Sequence, residues 1–427
     1  MTQPNLVMIP SAIKLTSPSN QKVYSILPSN SDGDFFSWWN NYSAIASRYN
    51  EDLLVEFGLE TRLDWYSRTN CPTLLLESTR TNTFINSNNF NDWTQSGSIL
   101  VEQNESISPS GVLDAYKLTS SGAADMISLQ VFRNTYSITF ENYSIFVKRG
   151  QNGAAFDPVL LTLRSPSGAY SNIEFDFDGN SLSEFDNNNI FLRESKVREL
   201  PNGWLRLEMR FQMDNNYAST FEISPSPNTN VFIWGAQREQ TGTLERKVMP
   251  SSYIPTTSQQ VTRSEDNFVN SGNISLFNNP EGSLFFDIQE IKDDYLTNYG
   301  NTQNISLSNR FNSTSNNVNI EFDLDGFTTI RYKTPLGTEQ PLGFQIDRRQ
   351  RNKIVISWNL LRLKIAHNGE IKTNSTHSVG LPSGLDSLSF DDGFGGYPQK
   401  KFFGEINDAR YYGKLLSNDD LIELSTI

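Results

Sequence analysis

From Trp204 to Phe211 the chain alternates in polarity: Trp204, Leu205, Leu207, Met209 and Phe211 are apolar, and Arg206, Glu208 and Arg210 stand between them. Successive side chains on a strand point to opposite faces, so this spacing predicts a strand with one face on a core and the other in solvent. Tyr143 to Lys148, Val159 to Leu163, Ile173 to Phe177 and Val231 to Gln237 read the same way, each bounded by Gly, Pro or Asn. After a polar stretch from Thr256 to Asp266 come Ser283 to Ile291, Asn304 to Ser308, Val318 to Leu324, Thr328 to Lys333, Lys353 to Trp358 and Leu361 to Ala366. Short strands joined by turns, with no sustained helical period, predict an all-β chain of two tandem antiparallel sandwiches of the jelly-roll kind.

Aromatic residues make up 12% of the chain and charged ones only 19%, the gap being filled by Asn, Ser and Thr, a mixture that favours strands and turns. The formal charge of −13 argues against a broad basic footprint for nucleic acid or anionic lipid and leaves neutral or cationic partners open. The one cysteine, Cys71, closes no intramolecular disulfide and no zinc ribbon, and suits assembly in a reducing cytoplasm. Only His367 and His377 could serve a Ser-His-Asp or His-rich metal site, so any catalysis is expected to rest on carboxylates. No apolar stretch approaches the roughly 18 residues of a membrane span, and Met1 to Leu15 lacks the pattern of a secretion signal. Membrane insertion is therefore not expected.

Residues 1–80 read as an extended arm and attachment segment, interrupted by Pro10, Pro18, Pro28 and the turn cluster Ser29 to Asp34. Within it Phe35, Phe36, Trp38 and Trp39 are too apolar to leave in water and are expected to dock on a neighbour or on the following domain. Residues 81–268 form the first expected sandwich and 269–427 the second. Asn368-Gly369 predicts a two-residue type I′ hairpin, and Ser417 before Asp420 caps one short closing helix. Ile173 to Gly179 resembles Ile320 to Gly326, and alternation sends Glu174, Asp176 and Asp178 to a common solvent face. That pattern fits a strand ending in an Asp-Gly turn as well as it fits a carboxylate cluster.

Cys71 to Asn82, with its Leu74-Leu75-Leu76-Glu77 and Arg80-Thr81-Asn82 runs, leads into Asn86 to Thr94; further on lie Tyr143 to Gly150, Asn202-Gly203-Trp204, Ile233 to Glu239 and Ser252 to Thr257. This ordered set, spanning roughly residues 60 to 270, resembles bacteriophage virion structural proteins of the tail-fibre, head-fibre and decoration kind. The resemblance implies a carbohydrate-binding-module-like sandwich, assembly with capsid or tail proteins as a homo-oligomer, trimeric as fibres often are, and residence in the virion after assembly in the host cytoplasm. Glu281 to Leu284, the Asn368-Gly369 hairpin and Phe402 to Tyr412 resemble laminin-G or concanavalin-type jelly rolls. That fold hosts lectins, hydrolases and structural modules alike, and cannot settle function alone.

A glycan site needs a flat aromatic to stack on a sugar and amides or carboxylates for its hydroxyls. Trp93, set among polar residues, is the expected platform, with Tyr295 and Tyr299 as a second, loop-borne candidate. Asp386, Asp391 and Asp392 around the Asp391 to Gly396 loop offer hard oxygens for calcium, the one cofactor considered. The competing enzymatic reading, a glycan-cleaving depolymerase, needs two carboxylates about 5 Å apart for retention or about 6.5–9.5 Å for inversion. Concanavalin-type hydrolases carry an E-x-D-x-x-E strand, and both Glu174 to Gly179 and Glu321 to Gly326 place Gly where the final Glu belongs. The expectation is therefore a non-enzymatic fibre or decoration component that contacts host-surface glycans, with a dedicated adhesin or a depolymerase as alternatives.

Overall fold

The structure, a computed structural model, describes residues 6–8, 46–58, 62–66, 72–132, 139–150, 158–213, 218–242, 249–266, 268, 274–277, 281–291, 302–309, 316–323, 325–334, 336–339, 343–376, 380, 382–393 and 400–427. The fold is all-β: its strands pair antiparallel in sandwiches, accompanied among the described residues by two short α-helices, Ile274–Phe277 and Asn418–Ser425. The chain divides into two compact units. A central unit comprises Ser43–Leu59 and Thr79–Ser264, and a second, mostly C-terminal unit comprises Met1–Tyr42, Glu60–Ser78 and Glu265–Ile427.

In the central unit two six-stranded sheets pack face to face. One runs in the order Phe191–Glu199, Trp204–Met213, Thr139–Arg149, Asn230–Gly242, Leu113–Thr119, Leu100–Ile107. The other runs Ser181–Asn188, Tyr170–Asp176, Val159–Arg164, Ala218–Pro225, Met126–Phe132, Thr94–Ser96. Alternate residues of the first, Tyr143, Ile145, Leu207, Met209 and Phe211, meet Leu161, Leu163, Ile173, Phe175 and Phe221 of the second in one core. Apolar area removed from water there stabilises at about 25 cal/mol per Å².

The opposite face of the first sheet departs from the sequence expectation. Arg206, Glu208 and Arg210, expected in solvent, are buried. The reason is a cover built from residues 249–256 and the hairpin Ser47–Tyr49/Val55–Phe57. Arg206 Nη2 donates to Ser251 O at 2.6 Å and to Ser144 Oγ at 3.0 Å. The Tyr253 ring lies 4.9 Å from Trp234, 6.0 Å from Phe146 and 6.2 Å from Phe57. Gly235, at φ +57, lets the backbone pass close to Phe146, where a Cβ would lie 3.0 Å from the ring.

The second unit is also a sandwich. One sheet has the order Glu370–Thr376, Arg362–His367, Asn352–Trp358, Gly282–Gln289, Gly404–Tyr412, Thr73–Leu76, Leu63–Asp64, with Leu6–Met8 pairing to Gly404–Tyr412. The other contains Gly337–Glu339, Phe327–Thr334, Asn317–Asp323, Thr302–Ser308 and Ser387–Ser389, with Phe344–Gln345 beside Phe327–Thr334. Helix Asn418–Ser425 starts at the expected cap, where Ser417 Oγ accepts the Asp420 N–H at 3.1 Å, and it sets Leu421 and Leu424 against Phe285, Val355 and Tyr412. Asn368 and Gly369, at φ +46 and +83, make the expected hairpin.

The stretch expected as the end of an arm is built into these units. Residues 43–59 supply part of the central unit's cover, while Leu63–Asp64 and Thr73–Leu76 extend a sheet of the second. Leu74 and Leu76 enter its core, and buried Arg62 pairs with Glu77 at 2.7 Å and with Asp266. An apolar run followed by an acid reads equally well as attachment segment or edge strand; the buried cation opposite it decides. After Ser264 the chain leaves the central unit for the second, beginning at Glu265.

Candidate functional site

The central sandwich has two outward-facing sheet surfaces, and the described residues cover only one. On the uncovered sheet the register sets outward side chains in rows. Arg164 stands opposite Tyr170 and Thr220, Thr162 opposite Asn172 and Glu222, and Leu160 opposite Glu174 and Ser224. Arg164, with 49% of its side chain exposed, donates from Nε to Glu222 Oε1 at 3.2 Å, and its guanidinium lies 5.8 Å from the Tyr170 ring centre. Tyr170 donates its hydroxyl to Asp186 Oδ2 at 3.0 Å; that bond and the Asp186 charge raise the phenol above its ordinary pKa. Thr162 Oγ1 donates to Asn172 Oδ1 at 3.0 Å. Phe185, 58% exposed, stands at a bulge on the neighbouring strand. A ring, a guanidinium, an amide and carboxylates on one open ledge can hydrogen-bond hydroxyls and pack against a sugar's C–H face.

The residues named from sequence fall elsewhere. Trp93 is 2% exposed, sits against Phe84 and Phe90 at 5.5 and 5.1 Å, and donates its indole N–H to Asn86 O. It is a core residue of the central unit, because the neighbouring polar side chains turn outward while the ring fills the gap between the sheets, and it presents no platform to a ligand. Tyr295 and Tyr299 lie outside the described residues, as do Phe35, Phe36, Trp38 and Trp39. Arg164, Tyr170 and Phe185 were missed because they are spread over three segments; the period-two pattern of Val159 to Phe177 was the available signal.

Asp391 and Asp392 are buried in the second unit and Asp386 is half-buried, and no cluster of three His, Cys, Asp or Glu side chains suited to a metal occurs among the described residues. Burial pushes the Asp391 carboxyl up to about 7, against the pull of the Gly393 N–H that it accepts at 2.8 Å. Asp176 spends its carboxylate on the Asp178 and Gly179 amides of its turn, and Asp178 pairs with Arg149 at 2.6 Å. In the second unit Glu321 pairs with Arg331 at 2.8 Å. His367 is buried, its Nε2 3.0 Å from Asn352 Oδ1 and its ring 5.0 Å from Phe344, and burial holds its pKa down at about 4. His377 lies outside the described residues.

The sequence motifs of the central unit gather at the covered face and its end. Arg238 forks onto Glu141 at 2.7 and 2.8 Å, and Glu239 takes the Ser251 N–H and hydroxyl. Asn82 donates to Ala236 O and Ile254 O and accepts the Phe84 and Arg238 N–H groups.

No protein-family model and no curated protein matches this sequence. Among solved structures the chain is distantly similar to carbohydrate-binding and lectin-like sandwiches. The CBM40 domain of the Ruminococcus gnavus IT-sialidase aligns at 13% identity and TM-score 0.30, over 37% of this chain and 93% of that one. Domain 4 of an extracellular arabinanase from Geobacillus stearothermophilus, solved with arabinotriose, aligns at 15% and 0.29, over 38% and 73%. A SAP-like pentraxin from Limulus polyphemus aligns at 10% and 0.29, over 37% and 74%.

Proposed function

We propose that the chain is a non-catalytic structural protein of a bacteriophage particle, a fibre or decoration component that contacts host-surface glycans through the uncovered face of its central sandwich. The observation that carries the glycan reading is that asymmetry: one polar sheet face is sealed, and the other is left open with Arg164, Tyr170, Asn172 and Glu174 on it. The virion reading rests on the ordered motifs of residues 60 to 270, with Phe35, Phe36, Trp38 and Trp39 fastening the protein to capsid or tail partners and three copies assembling. The non-catalytic reading is supported by the engaged carboxylates of Asp176 and Glu321 and by Gly179 and Gly326 where a hydrolase would place its last acid.

A glycan array probed with the full-length protein tests the surface. Arg164→Ala with Tyr170→Ala should cut binding at least about tenfold, a loss of about 1.4 kcal/mol or more; absence of any binding by the unsubstituted protein removes the glycan role. Docking is tested by changing Phe35, Phe36, Trp38 and Trp39 to Ser in the full chain. Truncation of residues 1–60 would also remove the hairpin part of the central sandwich's cover. Particles should lack the Ser variant, and full incorporation would refute the docking assignment.

A further inference from the structure

Taking the uncovered face as the glycan surface, we infer that it selects saccharides carrying a free amine over neutral ones and rejects anionic ones. The inference rests on that reading and goes on to the charge of the ledge. The face carries Glu174, Asp176, Asp186 and Glu222, and Arg164 is the one cation on its outward strand positions among the described residues. Arg164 is already held by Glu222, and Arg149, at the far end, is held by Asp178. Among the described residues of the face no guanidinium is left over to receive a sugar carboxylate, which would also meet a protein of net charge −13.

The acids differ in how they are occupied. Asp176 closes its turn, Asp186 accepts the Tyr170 hydroxyl, and Glu222 pairs with Arg164. The Glu174 carboxylate makes no hydrogen bond or ion pair among the described residues, and the residue is half-buried between Leu160 and Ser183 on the neighbouring strands. Residues two apart on a strand lie roughly 6.8 Å apart, so Tyr170, Asn172 and Glu174 span about 13 Å, room for two or three sugar rings. Tyr170 would pack one ring, Asn172 would bond the hydroxyls of the next, and Glu174 would accept the N–H groups of an ammonium. A charge-assisted bond of this kind is about twice as strong as a neutral one.

Calorimetry on the full-length protein tests this with three probes: a glucosamine oligosaccharide with free amines, its fully N-acetylated counterpart, and a sialylated oligosaccharide. The free-amine chain should bind about tenfold more tightly than the acetylated one, with the sialylated chain undetectable. Glu174→Gln should abolish that preference, bringing the two chains to equal affinity. Ser183→Lys, which supplies an internal cation opposite Glu174 at an exposed position, should do the same. Equal or tighter binding of the sialylated chain, or a preference that survives both substitutions, overturns the inference. Binding of neutral glycans without amine preference overturns the selectivity alone and leaves the glycan surface standing. Failure to bind any glycan overturns both.

Discussion

The two outer faces of the central sandwich are built from similar residue types and have opposite fates. On one, Arg206, Glu208, Arg210, Gln237 and Glu239 are sealed under residues 249–256 and the Ser47 to Phe57 hairpin. On the other, Arg164, Tyr170, Glu174 and Glu222 stay within reach of solvent. The recognisable motifs, Trp234 to Glu239 and Ser252 to Thr256, belong to the sealed side and its cover. The motifs read from the sequence thus belong to the machinery of folding, and the open face carries little of that signature.

Substitutions that strike the sealed face should cost the most. Glu208 Oε1 accepts Arg198 Nε at 2.8 Å and Arg206 Nη1 at 3.2 Å. Burial pushes its carboxyl up, yet the charges of Arg198, Arg206 and Lys196 hold it below the ordinary carboxylate value. Glu208→Ala leaves a buried guanidinium uncompensated and should destabilise the central unit by about 3–5 kcal/mol in urea unfolding. A change below about 1 kcal/mol would mean the face is less sealed than its burial implies. Tyr253→Ala opens the cover and should lose about 3 kcal/mol through the cavity against Trp234 and Phe146; thermal unfolding of the full chain reads this out.

A buried acid whose desolvation outweighs the charges around it behaves differently, and Asp391 in the second unit provides the contrast to Glu208. Its folded pKa of about 7 exceeds the unfolded value of roughly 3.9, so the folded state binds the extra proton between those limits. Its contribution to stability is complete below about pH 4 and is lost as pH rises through 7, by something on the order of 4 kcal/mol. Asp391→Asn should flatten that decline in a pH series of denaturation midpoints; an unchanged slope would assign the titration to another group. Smallest of all, Tyr170→Ala on the open face should move stability by no more than about 0.5 kcal/mol while still weakening glycan retention. A large loss of stability there would erase the distinction between the faces.

Period-two patterning made the strands legible, since Trp204 to Phe211 and Asn304 to Ser308 lie in strands, and Ile173 to Phe177 does so up to Asp176. Local rules also sufficed for Ser417 and Asn368-Gly369, because a cap and a type I′ turn are decided within four residues. Alternation could not say what lies over the polar side of a strand. Arg206 and Arg164 look alike in sequence, and whether each meets solvent depends on residues about 45 positions or more away along the chain. Trp93 failed as a platform for the same reason: polar neighbours in sequence do not mean water in space.

What the sequence determined by itself was the period of its apolar residues and the chemistry of its turns, and these are enough for an all-β chain because they act between neighbours. Which sheet face is sealed, that residues 43–59 and 60–78 join different units, and that Arg62 closes on Glu77 and Asp266 were decided only by tertiary structure. Burial is a property of distant segments meeting, and a charge becomes structural or available according to what is laid across it.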